Sequence, residues 1–111
     1  MGVRLSSIDV CHASKIVSND VYLEHFKRQG KDIKHLLVDV MGRDKRYMFD
    51  DGESSLSLAI NASKTALKNV NLEGGEIDVL VYSSILSEYI VPVTSILIHK
   101  KLEYGIKCNV Y

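Results

Sequence analysis

The chain has 111 residues, 46% of them hydrophobic and 25% charged, with fourteen Lys and Arg against fourteen Asp and Glu. That length suits one domain, and the composition is too apolar for a disordered protein. The balanced charge excludes nucleic-acid recognition by an overall positive field, and the longest apolar stretch, 77–82, is far short of the roughly 20 residues of a membrane span. The N-terminus has no secretory h-region, so the expected location is the cytoplasm, with no membrane partner. Cys11 and Cys108 stand far apart without CxxC or Cys/His spacing, so they read as free, buried thiols and not as a disulfide or metal site.

Val3, Leu5, Ile8 and Val10 form a mostly apolar run that predicts a first strand. Ser18 and Asn19 can cap a helix whose face carries Tyr22, His25, Phe26 and Gln29, closed by Gly30. Asp32 can open a second helix, with Ile33, Leu36, Leu37, Val40 and Met41 on one stripe and Gly42 as its stop. Over 43–51 the pattern dissolves into a polar loop or short irregular strand. Asp50 and Glu53 resemble a capping box for the strongest helix, in which Leu56, Ala59, Ile60, Ser63, Leu67 and Val70 hold one face. Gly74 and Gly75 end that segment. Residues 77–82 suit a central strand covered on both faces by helices, with Ser83, Ser84, Ser87 and Glu88 at its C-terminal end, where open α/β sheets place ligands. Pro92 fits the first turn of a further helix with Val93, Ile96, Leu97 and Leu102 inward, and 108–111 begin another strand. This order predicts an α/β fold with mostly parallel strand pairing.

Chemistry is less visible. GxGxxG, GxxxxGK[ST], HExxH and GxSxG are all absent. His12, His25, His35 and His99 lack ligand spacing, and Asp50 and Asp51 read as capping groups because adjacent carboxylates seldom converge. The basic cluster Arg43, Lys45 and Arg46, with Lys31 and Lys34 nearby, could grip a phosphate or an acidic protein, or could be a solvated loop.

Five segments taken in register resemble the N-terminal part of the 3-oxoacyl-acyl-carrier-protein synthase III family of thiolase-like condensing enzymes. They are Ile16-Val17-Ser18-Asn19-Asp20, Gly42 with the basic loop to Arg46, Asp50-Asp51-Gly52-Glu53-Ser54, Ile77 through Ser84, and Pro92 leading its helix. The resemblance covers the whole chain in order. It implies a thiolase-like αβαβα architecture of two similar halves, of which this chain supplies the larger part of the first. It also implies a parent acyltransferase whose nucleophilic cysteine lies beyond Tyr111, at a helix N-terminus that lowers a thiol pKa. Cys108 sits on the strand side of that turn and is not the nucleophile, and the family's catalytic His and Asn belong to the second half. The 111-residue chain alone is expected to be inactive.

The resemblance places Val91, before the proline, where the family reaches across a dimer interface to close the partner's acyl pocket. A hydrophobic packing role is the alternative for this residue. Where well-known members carry a Trp and an Arg that clamp the adenine of coenzyme A, this sequence has Leu36 and Val40, and it has no Trp at all. An apolar pair cannot stack on and pair with a nucleotide in that manner, which favours an acyl-carrier-protein donor over coenzyme A. Arg43, Lys45 and Arg46 then become candidates for contact with an acidic carrier protein. No bound cofactor is implied, and the substrates are an acyl thioester of coenzyme A or carrier protein and malonyl-carrier protein. A homodimer or other self-association is expected, because a partial sheet leaves apolar faces uncovered. Two alternatives remain: a divergent superfamily acyltransferase, such as a 3-hydroxy-3-methylglutaryl-coenzyme A synthase-like protein, and a non-catalytic α/β interaction module.

Overall fold

A computed structural model describes residues 2–85, 89–105 and 107–111. The contacts divide the chain into two compact units, His12–Glu53 and Met1–Cys11 with Ser54–Tyr111.

In the unit His12–Glu53, strand β1 (Lys15–Ser18) leads directly into helix α1 (Asn19–Arg28) and pairs antiparallel with strand β2 (Lys45–Met48). The polar run after Gly42 is therefore a strand, because Ile16 and Val17 supply a β-branched partner for Arg46 and Tyr47. Between α1 and β2 the expected amphipathic helix is a short helical segment whose residues Leu36–Val40 form a π-helical turn. The Met41 N–H reaches back five residues to the Leu36 carbonyl. That wider turn takes the 3.6-residue stripe out of line. Of the expected face only Leu37 is buried, while Leu36, Val40 and Met41 are exposed. Gly30 and Gly42 close these two helical segments in the left-handed region, at φ 75° and 60°, as their positions in the sequence suggest.

The other unit is built on helix α2 (Ser55–Asn69). Its cap is Ser54, whose hydroxyl accepts the Ser57 N–H while the Ser57 hydroxyl accepts the Ser54 N–H. The capping box thus lies one turn later than the Asp50/Glu53 pair. Glu53 still reaches back to the Asp50 N–H at 2.9 Å, but within the other unit's final turn. Helix α2 packs its apolar face against helix α3 (Thr94–Lys101), and Ile60, Ile98, Leu102, Tyr104 and Cys108 form the core between them and the strands. Gly74, in a 3₁₀ turn, allows a close approach that no other residue would, since a Cβ there would lie 1.9 Å from the Leu102 carbonyl oxygen.

Strand β3 (Val79–Leu80) pairs parallel with strand β4 (Asn109–Val110), as expected for an α/β layer. The Asn109 and Tyr111 N–H groups donate to the Asp78 and Leu80 carbonyls, and the Tyr82 N–H donates to that of Tyr111. Among the described residues, Ile77, Leu80 and Tyr82 pack on the core, while Val79 and Val81 are exposed. Residues 3–10 form no strand, because among the described residues nothing pairs with them, and Val3, Leu5, Ile8 and Val10 are exposed. Helix α3 also turns a different face inward than its apolar pattern suggests. Thr94, Ser95 and Ile98 are buried, with Leu102 just past the helix end, whereas Val93 and Ile96 are exposed. Pro92 precedes the cap residue Val93 and does not sit in the first turn. No helix among the described residues is long and apolar enough to cross a membrane.

Candidate functional site

The basic loop is built around Asn19, the buried first residue of α1. Its N–H donates to the Asp44 carbonyl at 3.1 Å and its side-chain amide donates to the Arg43 carbonyl. The remaining oxygen accepts from Arg46 Nη2 at 3.1 Å. The Arg46 guanidinium also lies 3.9 Å from the centre of the Tyr22 ring, and the Tyr22 hydroxyl meets Met48 Sδ at 3.3 Å. Arg46 is therefore committed to the fold through one charge-assisted hydrogen bond and one cation–π contact.

The three residues of the predicted basic site do not converge. Strand geometry points neighbouring side chains to opposite faces, so Arg46 shares the α1 side with Val17 while Lys45 lies on the opposite face with Ser18 and Tyr47. Arg43 and Lys45 are exposed and free to meet a partner. On the Lys45 face, the His12 ring stacks on Tyr47 with centroids 4.3 Å apart.

Lys31 and Lys34 belong to a different constellation. With Lys27, Leu23, Gly30 and Asp32, they line a groove of about 490 Å3. Lys27 was invisible as part of any site in the sequence. The readable signal is the sequence Lys27-Arg28-Gln29-Gly30-Lys31, a helix end with a glycine that folds the chain back on itself.

Val91 is 84% exposed and stands beside the exposed Tyr89, Ile90 and Val93 just before α3. Ser83 and Ser84 follow β3 at the surface, while Ser87 and Glu88 lie outside the described residues. Leu36 and Val40, at the places of the adenine clamp, are both exposed. Cys108 is buried in the core beside Tyr104, whose hydroxyl pKa is raised by burial and by the neighbouring thiol. This placement agrees with a packing role for Cys108, whereas Cys11 is only half-buried. Among the described residues no group of three or more His, Cys, Asp or Glu could hold a metal ion.

Solved structures share the fold of this chain. A 3-oxoacyl-(acyl-carrier protein) synthase from Burkholderia xenovorans superposes with a TM-score of 0.86 at 24% identity, over 99% of this chain and 31% of its own. The fold is thiolase-like. Xanthomonas campestris OleA, in a structure with bound cerulenin, matches the same thiolase-like fold at TM-score 0.81 and 19% identity, covering 95% of this chain and 32% of that one. The 3-oxoacyl-(acyl carrier protein) synthase III of Xanthomonas oryzae matches at 0.80 and 20%, over 94% and 32%. The chain thus spans about a third of the length of these thiolase-like structures. No family model and no curated protein matches the sequence.

Proposed function

We propose that the protein to which this chain belongs is a thioester-dependent acyltransferase of fatty acid or related biosynthesis, acting in the cytoplasm. The supporting observation is the thiolase-like likeness over 99% of the chain to a 3-oxoacyl-(acyl-carrier protein) synthase. In this reading a cysteine thiolate beyond residue 111 attacks an acyl thioester, the donor thiol leaves, and the acyl group rests on the cysteine. A malonyl thioester of carrier protein then loses carbon dioxide. The carbanion so formed attacks the acyl carbonyl, releasing the cysteine thiolate and a 3-oxoacyl thioester.

This chain contributes surfaces to that chemistry, and no reacting group. Leu36 and Val40 give a nucleotide nothing to pair with, which favours a carrier-protein donor, and Arg43 and Lys45 offer exposed cations to such a protein. The exposed apolar Ile90, Val91 and Val93 favour burial against a second copy, where Val91 would close the partner's acyl pocket.

Intact mass spectrometry tests the reading. This chain and a protein extended through the second half are each incubated with acyl thioesters of coenzyme A and of carrier protein. The longer protein should gain one acyl mass on a cysteine beyond residue 111, faster from the carrier protein, and the shorter chain none. Absence of acylation from either donor would leave a likeness of fold without the activity.

A further inference from the structure

We propose that Thr94, the buried first residue of α3, is a positioning residue whose hydroxyl holds the segment following Tyr111, and with it the turn that carries the nucleophilic cysteine. The inference rests on the acyltransferase reading above, in which that cysteine lies beyond residue 111. Thr94 is 2% exposed, and among the described residues its Oγ1 is buried without a hydrogen-bond partner. A hydroxyl inside a helix can donate to the carbonyl four residues back, but α3 begins at Thr94 and supplies no such carbonyl. The cap residue Val93 has no side-chain oxygen for the first turn, where the Ile96 N–H donates to the Val93 carbonyl at 3.0 Å. An idle buried hydroxyl and an uncapped helix start thus coincide, and native proteins rarely leave such groups unpaired.

Topology brings the segment past Tyr111 to that place. Strands β3 and β4 run parallel with α3 as the crossover between them, so α3 runs opposite to the strands and starts at their C-terminal ends. The Tyr82 N–H donates to the Tyr111 carbonyl at 3.0 Å, which sets the exit of β4 beside the end of β3. Helix α3 packs on β4 and shares the core with Cys108. The chain after Tyr111 therefore leaves the sheet at the end where Thr94 stands. A hydroxyl both donates and accepts, so it can satisfy the backbone of a turn where strand pairing stops. Hydrophobic burial does not account for the residue: Val93 and Ile96 are exposed nearby, and a threonine kept for its methyl group alone would be served better by valine, which buries no polar atom.

The test compares wild type, Thr94→Val and Thr94→Ser, each in this chain and in the protein extended through the second half. In this chain, where the hydroxyl has no partner, Thr94→Val should leave the urea midpoint unchanged or raise it. In the longer protein the same change should lower the midpoint and slow acyl transfer to the cysteine about tenfold or more, while Thr94→Ser stays within about threefold of wild type. Alkylation of that cysteine by iodoacetamide, followed across pH, separates positioning from stability: Thr94→Val should move the profile to higher pH as the thiolate loses its alignment with a helix N-terminus. Equal midpoint changes in both chain lengths, no change in either, or an unmoved alkylation profile would overturn the assignment. A Thr94→Ser variant as impaired as Thr94→Val would also overturn it, by giving the effect to the methyl group. If the wild-type longer protein takes no acyl group, the acyltransferase reading fails, and the midpoints still decide whether Thr94 holds the segment.

Discussion

The two units of this chain are held by different forces. The unit containing α2 and α3 buries Ile60, Ile98, Leu102, Tyr104 and Cys108 in one apolar cluster, while the unit His12–Glu53 buries only Ala13, Val17 and Leu37 as apolar groups, together with the polar Asn19. The second is organised by directed contacts. Asn19 ties helix to loop, Arg46 spans Asn19 and Tyr22, and the Glu53 carboxylate gathers Ser14 and Asp50. Apolar burial is additive and insensitive to angle, whereas a hydrogen-bonded hub fails when one member is lost.

The largest effect is expected in the apolar unit. Ile98 is 2% exposed, so Ile98→Ala should cost about 2–5 kcal/mol, read as a lower urea midpoint at unchanged slope. A loss below about 1 kcal/mol would break the contrast between the units. Next, Asn19→Ala leaves the Arg43 carbonyl and one Arg46 donor without a partner and should cost about 1–3 kcal/mol. Its signature is faster amide exchange in β1 and β2, with α2 and α3 unchanged. Ser54→Ala removes the cap of α2 and should cost about 0.5–2 kcal/mol, with fraying confined to the first turn of that helix.

The smallest effect is a dependence on pH. Glu53 accepts hydrogen bonds from the Ser14 hydroxyl and from the Asp50 and Ser14 N–H groups, which hold its pKa below the usual 4.5. Because the folded value is the lower one, the contribution is present above pH 4.5 and is lost as pH falls through the depressed folded value. The protection factor of the Ser14 amide, corrected for the intrinsic exchange rate at each pH, should fall over that acid range in the wild type and be low and independent of pH in Glu53→Gln.

Sequence patterning served some segments and failed others for identifiable reasons. Helices α1 and α2 were legible from their periodicity and, for α1, from the closing Gly30, whereas the cap of α2 is Ser54 and Ser18 makes no side-chain cap bond. Residues 3–10 have a strand's apolar pattern, but a pattern reports which side chains want burial, and no partner among the described residues supplies it. In α3 the buried Thr94 and Ser95 displace the apolar Val93 and Ile96 from the inner face, a choice made by tertiary packing. At the candidate site, adjacency in sequence does not show direction: Lys45 and Arg46 are neighbours and lie on opposite faces of β2. The lysine groove is legible only once the turn at Gly30 is known to bring Lys31 back to Lys27.

Residue-resolved amide hydrogen exchange on the intact chain tests the contrast between the units most directly. The slowest exchange is expected at amides of buried core residues such as Leu102, Tyr104 and Cys108, with the amides of Asn19 and the β1–β2 ribbon opening at lower free energy. Equal protection throughout, or a ribbon that outlasts the α2–α3 core, would contradict it.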